Sequence, residues 1–145
     1  MGTYKIFVDT GADMSEEMAA QNNIGMIRFL SVFDETSYVT GTELTNEKFY
    51  EMLEASDKIP TTSQTPYADF YEQLKQASIE YDTVIYFALS SKASGQYNTA
   101  CMIKNEIAAA SAATSFSFFA IPIATPIANI IGKLPNTIFP ASLIT

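Results

Sequence analysis

Val84-Ile85-Tyr86-Phe87-Ala88-Leu89 runs directly into Ser90-Ser91-Lys92-Ala93-Ser94-Gly95-Gln96-Tyr97, and this junction decides the fold. The first segment, with Thr83 before it, is a short continuous apolar run. That is the pattern of a strand buried on both faces in a parallel sheet. The second segment is rich in hydroxyls and opens onto a helical pattern, with Ser94-Gly95 at its start and Tyr97, Cys101 and Met102 read as facing inward. Another hydroxyl-rich stretch, Pro60-Thr61-Thr62-Ser63-Gln64, also precedes a helical pattern. There Pro66 suits a first helical position, and Phe70, Leu74 and Ala77 share one face. Hydroxyls and backbone N–H groups at a helix start suit an anion such as a carboxylate or phosphate.

Upstream, Lys5 to Val8 reads as a second short buried strand, ending at Asp9. Thr10, Gly11 and Ala12 form a turn, and Asp13 with Glu16 three residues later has the spacing of a capping box. Met14, Met18 and Ala19 lie on the helix that follows, and Asn22-Asn23 ends it. Ile24 to Phe33 reads as one strand, Asp34-Glu35 as a turn, and Ser37 to Thr40 as a further strand broken by Gly41. Thr45 is a candidate N-cap for a helix carrying Phe49, Met52 and Leu53. Strands alternating with helices give an α/β layered domain with a mainly parallel sheet flanked by helices. Lys5–Val8 and Val84–Leu89 are expected to be neighbouring or near-neighbouring strands.

Composition excludes several functions. The chain has 145 residues, enough for one ordinary core, and 48% of them are hydrophobic. A net charge of −8 argues against nucleic acid and against adsorption to an anionic membrane. There is no histidine, so a Ser-His-Asp triad, a Cys-His pair and His metal ligands are ruled out. The single Cys101 has no partner for an internal disulfide, and it reads as a small core residue. No basic, apolar leader opens the sequence, and a reducing, cytoplasmic setting is expected. Ser90-Ser91-Lys92 lacks the Ser-x-x-Lys spacing of a serine–lysine hydrolase, because Leu89 stands where the serine is needed.

Four motifs, Val8-Asp9-Thr10-Gly11-Ala12-Asp13, Leu44-Thr45-Asn46-Glu47-Lys48-Phe49-Tyr50 and the two hydroxyl stretches, together resemble the DegV family of bacterial fatty-acid-binding proteins, in order and spacing, over roughly residues 3 to 106. The resemblance implies binding of a long-chain fatty acid, its carboxylate held at the positions of Thr62 and Ser94 and presented to a separate fatty-acid kinase. The chain itself would be a carrier and not an enzyme, and no cofactor is implied. Where the family has a Ser-Ser pair after the first strand this chain has Thr10-Gly11, which removes the family's reason for a head-group role there.

The chemistry agrees with a carboxylate site. A carboxylate in an apolar tunnel must be hydrogen-bonded, and hydroxyls and helix-start N–H groups donate to it. The site residues read here are Thr62, Ser94, Ser63 and Gly95, the glycine allowing close backbone approach. Thr61 and Ser91 assist or stabilise their loops, and any one of these hydroxyls taken alone reads as an ordinary cap or turn residue. Phe29, Phe33, Phe49, Tyr50, Phe70, Tyr71 and Phe87 line an acyl tunnel or form ordinary core. Asp9 and Asp13 offer an alternative, a metal-dependent phosphoryl-transfer or hydrolytic enzyme; against it, Asp13 reads as a helix cap and Asp9 as a loop anchor.

The chain changes character after Glu106. From Ile107 to Thr145 only Lys133 is charged, and Pro122, Pro126, Pro135 and Pro140 interrupt the segment, so stable membrane insertion is not expected. Residues 1–106 are read as the DegV-like N-terminal α/β domain and 107–145 as an atypical, irregular apolar tail, out of frame or truncated, in which residues 111–145 lack a compact core of their own. The continuing strand and second domain that the resemblance leads one to expect are not legible there, and a nonfunctional fragment is the remaining alternative.

Overall fold

The computed structural model describes residues 2–110 and 115–121, with side chains described through 117. Two sheets organise it. The larger is wholly parallel, with strands β1 (Tyr4–Asp9), β2 (Ile24–Ile27), β6 (Thr83–Leu89) and β7 (Ser115–Ile121) in the order β2-β1-β6-β7. The smaller is antiparallel, with β3 (Leu30–Phe33), β4 (Thr36–Val39) and β5 (Thr61–Ser63) in the order β4-β3-β5. Helices α1 (Glu16–Gln21), α2 (Asn46–Ala55), α3 (Tyr67–Glu80) and α4 (Gln96–Ala110) complete the chain order.

The two apolar runs are adjacent central strands, with Ile6 opposite Ile85 and Val8 opposite Phe87. Both faces of this pair are buried, which explains why neither run alternates. One face carries Phe7, Val84 and Tyr86 against Phe70, Leu74 and Ala77 of α3 and Ala100, Ile103 and Ile107 of α4. The other gathers Ile6, Val8, Ile85 and Phe87, with Ala12 and Met14 packed on them. Full burial of a side chain such as Phe70 or Leu74 contributes about 1.5–3 kcal/mol.

The chain leaves β1 toward β2 on one side and leaves β6 toward β7 on the other. The C-terminal ends of β1 and β6 therefore flank a topological switch point, where the connections diverge and open a crevice.

Several local expectations are corrected. Ile24 to Phe33 is two strands in two sheets, divided at Arg28-Phe29. The α1 cap is Ser15, whose hydroxyl accepts from the Met18 N–H; Asp13 instead ends a 3-10 turn (Thr10–Ala12) in the left-handed region, at φ 54. Met102 faces solvent, and Met14 precedes α1 instead of lying on it, whereas Met18 and Ala19 are helical. Thr45 does cap α2, accepting from Lys48 N–H, and Phe70, Leu74 and Ala77 are the buried stripe of α3. Pro66 sits one position earlier than expected, at the α3 N-cap. Past residue 106, α4 continues to Ala110 with Ile107 in the core, and β7 adds a parallel strand to the edge of β6. The expected irregular tail is thus corrected over 107–110 and 115–121, and its remainder lies outside the described residues.

Candidate functional site

The crevice between β1 and β6 is organised by Asp9, which is 1% exposed. Its Oδ2 accepts from the Leu89 N–H at 2.6 Å and from the Tyr86 hydroxyl at 3.2 Å; its Oδ1 accepts from the Gly11 N–H at 3.0 Å. One carboxylate thereby fixes the turn after β1 and the exit of β6. Burial pushes its pKa above the ordinary 3.8 despite the three bonds, which pull the other way. The Tyr86 phenol is raised strongly, first by burial and then by the Asp9 carboxylate.

From Leu89 the chain enters the serine-rich turn. Ser90 holds it, its carbonyl accepting from Ala93 and Ser94 N–H at 2.8 and 3.0 Å and its hydroxyl from Lys92 N–H at 3.3 Å. The Ser94 Oγ accepts the Gln96 N–H at 3.2 Å. With its oxygen turned toward that N–H, the Ser94 hydroxyl keeps its own proton to donate. α4 then begins, the Gly95 carbonyl accepting from Thr99 N–H at 3.0 Å.

The other hydroxyl stretch is not a helix start. Thr61–Ser63 is strand β5, with Thr62 opposite Ser31 and Ser63 opposite Leu30, and α3 begins only at Tyr67. Side chains alternate along a strand, so Thr62 and Ser63 project from opposite faces. Both are exposed. The two stretches meet just downstream of β5. The Gln96 side-chain amide donates to Thr65 Oγ1 at 2.7 Å, and Thr65 Oγ1 donates to the Arg28 carbonyl at 2.8 Å. The Thr99 hydroxyl donates to Gln64 Oε1 at 3.0 Å, and a Cβ on Gly95 would come within 2.5 Å of Gln64 Nε2. Thr62 is three residues from Thr65 along the chain, about 10 Å if fully extended, and Ser94 is two residues from Gln96.

Gln64, Thr65 and Gln96 were missed in the sequence. The only hint lay in their position: Gln64 and Gln96 are members of the two hydroxyl stretches, and Thr65 directly follows the first. Gln96 is fully buried, and its Oε1 has no hydrogen-bond partner among the described residues. Such an acceptor costs about 1–3 kcal/mol.

Asp9 and Asp13 do not converge as a carboxylate pair. Asp9 is buried and engaged by three donors, whereas Asp13 is exposed. Among the described residues no group of three or more His, Cys, Asp or Glu side chains is placed to hold a metal ion. Phe70 and Phe87 are fully buried, Phe33 packs edge-on against Phe49, and Tyr50 is exposed. Surface grooves of about 420 and 720 Å³ lie around Asp34 and Lys58, and one of about 500 Å³ lies beside α3; neither Thr62 nor Ser94 lines them. No helix among the described residues is long and apolar enough to cross a membrane.

Known proteins share this architecture. A DegV domain-containing protein of Clostridium perfringens is 35% identical over 107 residues, covering 74% of this chain and 38% of that protein. The solved structure of DegV from Bacillus subtilis, a fatty acid binding protein, superposes with a TM-score of 0.74 at 25% identity over 99% of this chain and 52% of that one. A stearic acid-binding protein of Eubacterium ventriosum superposes with a TM-score of 0.79 at 20% identity over 89% of this chain and 46% of that one, a likeness of fold. The chain thus spans 38% of the curated relative and about half of each solved protein. The family model described as "Uncharacterised protein, DegV family" matches residues 3–120, and the chain belongs to the DegV family.

Proposed function

We propose that this chain supplies the carboxylate-binding part of a long-chain fatty-acid site, with the Thr62 and Ser94 hydroxyls donating to the head group and Gly95 admitting it close to the backbone. The observation that carries the reading is the Ser94 geometry. Its oxygen is held by the Gln96 N–H, its proton is left to donate, and it lies in the turn that leaves β6 at the topological switch point. Family membership and the fatty acid bound by the Bacillus subtilis protein supply the ligand class. Ser63 serves the strand's other face, so its part is secondary. In this reading the protein is a cytoplasmic carrier, not an enzyme, and it delivers the bound acid to a partner kinase.

The test is mass spectrometry of the purified chain for copurified fatty acid, followed by titration with stearate. Thr62→Ala and Ser94→Ala should each weaken binding by about 1.5–3 kcal/mol, the value of a charge-assisted hydrogen bond, with little change in folding. Equal affinity of both variants and the parent chain would exclude the assignment. Because the chain spans about half of its solved relatives, the titration is repeated with the chain joined to the C-terminal half of the Bacillus subtilis protein.

A further inference from the structure

We propose that Gln96 is a positioning residue that ties the two hydroxyl stretches together and sets the separation of Thr62 and Ser94. The inference rests on the assignment of those two hydroxyls as the head-group donors, and it deepens that assignment.

Gln96 touches both stretches. Its backbone N–H is held by the Ser94 hydroxyl, and its side-chain amide donates to Thr65 Oγ1. Thr65 is itself buried, and its single hydroxyl proton goes to the Arg28 carbonyl. The Gln96 atom facing Thr65 must therefore be the NH₂ donor, which fixes the orientation of the amide. One hydroxyl oxygen thus joins the chain after β5, the junction between β2 and β3, and the first turn of α4. The neighbouring contact, Thr99 to Gln64, is exposed and exchanges readily with water. The buried link is the one able to hold a fixed spacing. The Oε1, without a partner among the described residues, points the same way. A primary amide kept fully buried with its carbonyl unsatisfied is unfavourable, and an apolar side chain of similar length would fill the space without that cost.

The experiment places spin labels on Ser63→Cys and Ala93→Cys, exposed neighbours of the two residues, in the full chain with Cys101→Ser. The interlabel distance distribution is expected to be narrow. Gln96→Met should broaden it at least twofold while the helical signal and the thermal transition remain cooperative. Thr65→Val should broaden it to the same extent, and the double variant no further than either alone. Should Gln96→Met fail to fold, Thr65→Val decides. A broad parent distribution, or one unchanged in the folded variants, overturns the proposal. Stearate titration of unlabelled Thr62→Ala and Ser94→Ala, set beside the distance measurement, separates the two claims. Unaltered binding in Thr62→Ala and Ser94→Ala defeats the head-group assignment alone, whereas an unaltered distance distribution defeats the role of Gln96.

Discussion

The Asp9 carboxylate accepts the Leu89 N–H at 2.6 Å across 80 residues of sequence. The bond joins the ends of the two central strands where their connections diverge, and it anchors the turn that carries Ser94. A parallel pair cannot be closed by a short hairpin, so a side chain reaching from one strand end to the next backbone takes over part of that task.

Asp9→Ala should destabilise the fold by about 2–4 kcal/mol, because it leaves the Leu89 and Gly11 N–H groups and the Tyr86 hydroxyl without their acceptor. Urea unfolding measures this; a loss under 1 kcal/mol would show that water replaces the carboxylate freely.

The pH dependence follows from the raised Asp9 pKa. The fold favours the protonated form, so the protonation-linked part of Asp9's contribution is fully present below the ordinary value of 3.8 and is lost as pH rises through its higher folded pKa, while the hydrogen bonds to the carboxylate persist. Tyr86→Phe removes a bond that pulls this pKa down, so Asp9 should titrate higher still. Carboxyl chemical shifts followed against pH check the direction, and a fall in the variant would contradict the assignment.

At the α1 entrance the cap and the strained residue are separate positions. Ser15→Ala should cost about 1 kcal/mol through loss of the bond from Met18 N–H. Asp13→Gly should instead stabilise slightly, since glycine accepts φ 54 without a Cβ penalty and its greater loss of chain entropy offsets part of that gain. Were Asp13 the cap, glycine would not be stabilising there.

Gly95→Ala should push Gln64 out of its contact with Thr99, at a cost of about 1 kcal/mol, because the far end of that side chain can give way. In a Gln64→Ala background the same substitution should be nearly neutral. A double-mutant cycle without this coupling would place the constraint elsewhere.

The strands β1 and β6, the α3 stripe and the Thr45 cap were all legible in the chain itself. Each is written in local periodicity or in a side chain that bonds its own neighbouring backbone. The resemblance in the two hydroxyl stretches likewise pointed to the family that the comparisons show. What the chain did not disclose depends on partners far away in sequence. Thr61–Ser63 has the composition of a helix-preceding loop, and it becomes a strand only because β3 offers a ladder to Thr62 from Ser31. Ile24 to Phe33 is rich in bulky apolar residues, broken by Arg28 and Ser31, and it divides at Arg28-Phe29 because its two halves take their ladders from two different sheets. Asp9, Thr65 and Gln96 read locally as a loop acid, a turn hydroxyl and a helix polar residue. Burial made them the joints of the crevice, since a polar group removed from water must find a partner wherever the fold supplies one.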